Sequence, residues 1–180
     1  MPNVAKFAKA LYALHNVGCL NDPSCNAAVG AFIRQSTETK LFHLTTDYMS
    51  RDAASLLEGY RIASPSQYHA FCRKTLRHEH MVPTSVIRTM FAKEASLSEE
   101  RIAQVLREFG LRATITRHED SELSAKGLKG AMPKEFWIPG SSMYLNPLAR
   151  YIKAELAHKL LSRKSNDWFE LFRARQVSCG

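Results

Sequence analysis

Val4, Phe7, Ala8, Leu11 and Leu14 recur at helical spacing over residues 3 to 16, and the turn chemistry of Asn21-Asp22-Pro23-Ser24 ends the stripe. A second helix is expected over 25 to 36. Residues 37 to 49, TETKLFHLTTDYM, are less periodic, whereas Ser50 followed by RDAASLLEGYR reads as an N-cap and a third helix ending near Gly59. Ser64-Pro65 opens a fourth that runs through SQYHAFCRKTL, because proline suits a first helical turn. TSVIRTMFAKEA after Pro83 and EERIAQVLREFG after Ser98 give two more helices, the second stopped by Gly110.

Strand character is confined to two stretches, near 76 to 82 and at LRATIT, 111 to 116. The second feeds a helix, since Thr116-Arg117-His118-Glu119 has capping-box spacing. KGLKGAMPKEFWIPGSS is expected to be a loop ordered by packing Phe136 and Trp137, and Asn146-Pro147 to open a last long helix. The pattern therefore predicts a predominantly helical α+β fold in one compact domain. Its regions are a helical 1–75, a strand-containing core at 76–125 with a helical insertion at 84–110, and a loop with basic helices over 126–180.

Composition narrows the class. The 180 residues are 45% hydrophobic, enough for one domain with a core. Twenty-five Lys and Arg against seventeen Asp and Glu leave a net charge of +8. That excess favours a polyanionic partner, nucleic acid or an anionic membrane surface, over the plainer reading of solubility. No apolar run reaches the ~18 residues of a membrane span. Lys6, Lys9 and His15 interrupt the N-terminal apolar stretch, so no signal peptide is expected and the protein reads as soluble and cytoplasmic. Cys19, Cys25, Cys72 and Cys179 contain no Cys-x-x-Cys pair, which argues for reduced thiols, with Cys19 and Cys25 able to approach around the turn.

The candidate chemistry sits in LRHEHMVP, 76 to 83. On a strand His78 and His80 share one face and Glu79 takes the other, unless Pro83 ends the ladder and lets the chain turn. A carboxylate beside a histidine supplies a hard ligand for a divalent cation and an imidazole able to take a proton near neutral pH. Those two suffice to hydrolyse a phosphodiester if a second ligand completes the metal site. His118, Glu119, Asp120 and Glu122 crowd the next helix, although carboxylates at a helix start also serve as ordinary dipole partners.

The order of these parts, EHMVP closing a strand, then ATIT, then a helix bearing RHEDSEL, resembles the ββα-metal fold of the HNH nucleases. The similarity covers 76 to 125 around the 84–110 insertion, and NPLARY, 146 to 151, resembles a trailing motif of divergent members. The resemblance implies a metal-dependent endonuclease acting on DNA with a single Mg²⁺ or another divalent cation such as Mn²⁺ or Zn²⁺. It makes His80 the general base, Glu79 a metal ligand, and Asp120 or His118 the second ligand. The Cys-x-x-Cys knuckles of many members are absent, so the helical body has to hold the motif.

Arg150, or Arg77, is the expected phosphate clamp, since a guanidinium meets phosphate oxygens in pairs. Basic flanks at 71 to 93 and 147 to 175 supply the grip on nucleic acid, taken as double-stranded DNA, through Arg73, Lys74, Arg77, Arg88, Lys153, Arg163 and Lys164. Trp168, Phe169 and Phe172 either stack on bases or dock a terminal helix. A homodimer would place two sites for cutting both strands, and restriction, phage defence, homing or recombination are the settings such an enzyme serves. Three other readings stay open: nucleic-acid binding without chemistry, a zinc protein using His78 and His80 with His118 or a carboxylate, and a protein-interaction module with a basic face.

Overall fold

A computed structural model describes residues 4–37, 46–59 and 65–162. In chain order its elements are α1 (Val4–Asn16), α2 (Asn26–Thr37), β1 (Tyr48–Ser50), α3 (Arg51–Gly59), α4 (Pro65–Thr75), β2 (Leu76–His80), α5 (Thr84–Lys93), α6 (Glu99–Phe109), β3 (Arg112–Thr116), α7 (Arg117–Ala125), α8 (Ala149–Lys153) and β4 (Leu160–Ser162). The fold is the expected one, α+β and predominantly helical. Among the described residues no helix is long and apolar enough to cross a membrane.

The chain forms two compact units that alternate along the sequence. The described residues of the helical unit are 4–37, 80–111 and 130–150; those of the sheet unit are 46–59, 65–79, 112–129 and 151–162. Two passages between units fall at the residues of most interest, between Glu79 and His80 and between Arg150 and Tyr151.

In the helical unit, α1 turns Val4, Ala8 and Leu11 inward, and α6 answers with Ile102, Val105, Leu106 and Phe109. Both stripes follow the helical period, so each helix loses its apolar face to the same core. Val29 and Ile33 of α2 join it with Val86, Ile87 and Phe91 of α5, so the segment expected as an insertion supplies two of the core's helices. Phe136 is fully buried and meets Phe109 edge-on at 6.2 Å, while Trp137 stays 37% exposed. Ser98 caps α6 by accepting from Arg101 N at 3.2 Å. Gly110 ends that helix with an ordinary φ of −75°. Closeness explains the glycine: a Cβ there would lie 2.3 Å from Leu106 O and 2.6 Å from Thr37 Cγ2. Around the turn, the Cys25 side chain pushes the Cys19 pKa up, and both cysteines are free thiols.

The sheet unit carries four strands in the order β2-β3-β1-β4. β1 runs parallel to β3, pairing Met49 with Thr114, and antiparallel to β4, pairing Met49 with Leu161. β2 and β3 lie inside the two expected stretches, whereas β1 and β4 lie outside them. Each of these has three residues, too few for an alternating pattern to show. A small cluster of Met49, Ala53, Leu57, Cys72 and Leu76 forms this unit's apolar core. Thr116 and Glu119 form the expected capping box at the start of α7.

The last helix is the clearest correction. Instead of a long helix from Asn146-Pro147, α8 has only five residues. Asn146 Oδ1 accepts from Leu148 N at 2.9 Å and shapes a turn before the helix begins. Glu155 then adopts a left-handed φ of 63°, with Glu155 N donating to Ile152 O and Leu156 N to Tyr151 O. Those two bonds close a Schellman stop, with Leu156 buried beneath it.

Candidate functional site

β2 presents the histidines and the glutamate, and each finds a hydroxyl. Within the sheet unit, His78 Nδ1 lies 2.9 Å from Thr114 Oγ1 on the neighbouring β3. Thr46 donates to Tyr48 O and sits 3.0 Å from Thr114 Oγ1, so Thr114 must donate to Thr46 and accept from His78. Counting protons along that chain puts a hydrogen on His78 Nδ1. Glu79, alternating to the opposite side of the strand, accepts from the Tyr151 hydroxyl.

Within the helical unit, His80 Nε2 is 2.8 Å from Thr37 Oγ1, whose own proton goes to Arg34 O at 3.0 Å. Thr37 is therefore the acceptor and His80 Nε2 carries the hydrogen. In a neutral ring the accepting nitrogen is then Nδ1. Arg150 is 1% exposed, with Nε donating to Met81 O at 2.9 Å and a terminal nitrogen donating to His80 O at 2.6 Å. Its expected role as a phosphate clamp does not fit this arrangement. The buried guanidinium fixes the backbone after the doublet.

The expected ligand helix behaves differently. Asp120 Oδ2 faces Arg77 Nε at 3.5 Å and Lys129 Nζ at 3.6 Å. His118, with its side chain 80% exposed, pairs with Glu122 one turn on. Glu119 is buried, and its Oε2 accepts from Ser50 Oγ, Thr116 N and Thr116 Oγ1 at 2.7 to 2.9 Å. The acidic cluster thus divides into a cap, one carboxylate paired with two cations, and a surface pair. Glu79, Asp120 and His118 do not assemble into a ligand set, and among the described residues no three His, Cys, Asp or Glu side chains group as a metal site. The arrangement does not fit a preformed metal centre. A cavity of about 420 Å³ on the sheet unit, lined by Glu122, Lys126, Glu155 and Lys159 among others, includes neither Glu79 nor His118 nor Asp120.

The expected nucleic-acid residues are spread over both units. Arg73, Lys74 and Lys153 are exposed on the sheet unit, where Arg77 is paired with Asp120. Arg73 O also accepts from Arg117 at 2.7 Å. Arg88 belongs to the helical unit. Arg163 and Lys164, with Trp168, Phe169 and Phe172, lie outside the described residues. Sequence reasoning missed Thr37, Thr114 and Tyr151. Of these only Tyr151 carried a signal, as the last residue of NPLARY; the threonines are distant in sequence from their histidines and follow no spacing rule. No family model, no curated protein and no solved structure matches the chain.

Proposed function

We propose that this protein is a nuclease that hydrolyses phosphodiester bonds in nucleic acid, DNA in the first instance, with His80 as general base and Glu79 as the carboxylate beside it. One observation carries the reading: two consecutive residues, Arg150 and Tyr151, hold this doublet. Arg150 grips the carbonyls of His80 and Met81, and Tyr151 grips the Glu79 carboxylate. Burying a guanidinium and a phenol is costly unless their polar atoms are satisfied, and here Arg150 Nε, one of its terminal nitrogens and the Tyr151 hydroxyl are spent on the doublet. A solvated strand edge needs no such support, whereas a reacting pair depends on fixed geometry.

In this reading Thr37 holds the imidazole through Nε2, and Nδ1 takes the proton from a water attacking phosphorus in line with the leaving oxygen. The net charge of +8 draws in the polyanion. A binding protein without chemistry is the second reading, favoured by the ion pairs that occupy Asp120.

The test is conversion of supercoiled plasmid to nicked or linear form at low salt, in Mg²⁺, Mn²⁺ or EDTA, by the wild type, His80→Ala and Tyr151→Phe. The expected result is cutting by the wild type, loss by at least about a hundredfold in His80→Ala, as befits a general base, and a smaller loss in Tyr151→Phe. Cutting by His80→Ala at the parent rate would end the assignment, and DNA binding with no cutting under any metal would establish the second reading. The EDTA lane decides whether a cation takes part.

A further inference from the structure

We infer that the helical unit carries a phosphate-binding groove between α2 and α5, built on Arg34, Arg88 and Lys93, which grips the backbone of a nucleic-acid strand. It rests on the nuclease reading only for the identity of the polymer; the groove itself stands on its own geometry.

Two concavities make it. One, of about 220 Å³, is lined by Asn26, Gly30 and Arg34 from α2 and by Thr84, Ser85 and Arg88 from α5. The other, of about 290 Å³, shares Asn26 and Arg88 and adds Thr89 and Lys93. Among the described residues no carboxylate lines either one. The acidic residues closest in sequence are engaged elsewhere, Asp22 by Ser24 N at 2.8 Å and Glu94 by Arg101 at 3.3 Å. Basic side chains on a solvated helix ordinarily point apart; here three of them line two concavities that share Asn26 and Arg88.

The Arg34 guanidinium lies over Gly30, where a Cβ would sit 3.4 Å from its nearest nitrogen, and one of the cations is held against a ring. Lys93 Nζ rests 4.8 Å from the centre of the Trp137 ring. A charge already placed loses less freedom when it meets a phosphate. From Thr84 to Lys93 the helix advances about 13 Å, at ~1.5 Å per residue. That matches roughly four nucleotides along one strand of duplex DNA, at ~3.4 Å each. Anion contact to a run of backbone phosphates, without base reading, is the chemistry such a lining provides.

The test measures binding of a fluorescein-labelled DNA duplex by anisotropy in EDTA, over a salt series, so that no cutting is required. Arg34→Ala/Arg88→Ala should weaken binding at least tenfold and lower the slope of log K against log salt by about two, at ~0.9 for each phosphate no longer neutralised. Lys6→Ala/Lys9→Ala, which removes the same charge from exposed positions of α1, should cost under about threefold, since it removes only long-range attraction. Arg34→Lys/Arg88→Lys should recover most of the slope, and circular dichroism confirms that each variant is folded. Equal losses in the two alanine pairs, or no loss in the groove pair, overturn the proposal, as does a wild type that binds no DNA. A wild type that binds through the groove but never cuts refutes the nuclease and leaves the groove standing; one that cuts while the groove pair binds normally does the reverse.

Discussion

Leu11, Ile33, Phe91, Ile102, Leu106 and Phe136 fill the middle of the helical unit with apolar side chains. The sheet unit buries a smaller apolar cluster, and beside it Thr46, Ser50, Thr114, Thr116, Glu119 and Asp120, all under a tenth exposed. The two units of one chain thus solve cohesion differently. The first depends on volume, where each missing methylene costs hydrophobic transfer and leaves a cavity. The second depends on polar atoms that water no longer reaches, where each missing acceptor strands its donors. Of the doublet, Glu79 belongs to the polar unit and His80 to the apolar one.

Deleting volume should be the largest blow. Phe136→Ala removes a fully buried ring that stands against Phe109 and Trp137, and should cost about 3–5 kcal/mol of stability in urea unfolding. A cost under ~1 kcal/mol would mean that the surrounding helices collapse into the gap and that this core is not tightly packed. The polar counterpart is Glu119→Ala, which strands Thr116 N, Thr116 Oγ1 and Ser50 Oγ. About 3 kcal/mol is expected from buried donors left without an acceptor. Glu119→Gln keeps an acceptor oxygen and should recover part of that loss. If Gln is no better than Ala, charge rather than hydrogen bonding holds the cap, and the comparison has to be redrawn.

The same division decides what the sequence revealed. Helices α1, α5 and α6 were legible because a 3.6-residue stripe survives when one face is buried, and Ser98 and Thr116 marked helix starts through their own hydrogen bonds. β1 and β4 were not, since three residues show no period. The candidate site was half legible. Glu79 and His80 stand out as a carboxylate beside an imidazole, but their holders Tyr151 and Thr37 are brought to them by tertiary packing alone. Arg150 shows the opposite failure: its type suits a phosphate, and only its burial reveals that backbone carbonyls have claimed it.

The smallest expected effect makes the sharpest control, because Asp22 does at the surface what Glu119 does in the interior. Its Oδ1 accepts from Ser24 N at 2.8 Å and caps the turn that follows α1. That backbone N–H, aided by the Ser24 side chain, holds the Asp22 pKa below its ordinary value. A depressed folded pKa means stability that is present above the unfolded value of about 3.9 and is lost as pH falls through the folded one. Asp22→Ala should therefore lower the thermal midpoint slightly at neutral pH, by a fraction of the Glu119→Ala effect, because the donor it abandons turns to water. The gap between wild type and variant should then narrow from about pH 5 downward, as the unfolded carboxylate takes up its proton before the native one does. A gap that stays constant down to the acid limit would show that the cap acts through a neutral acceptor, and an Asp22→Ala loss as large as that of Glu119→Ala would show that exposure does not set the cost of losing such a bond here.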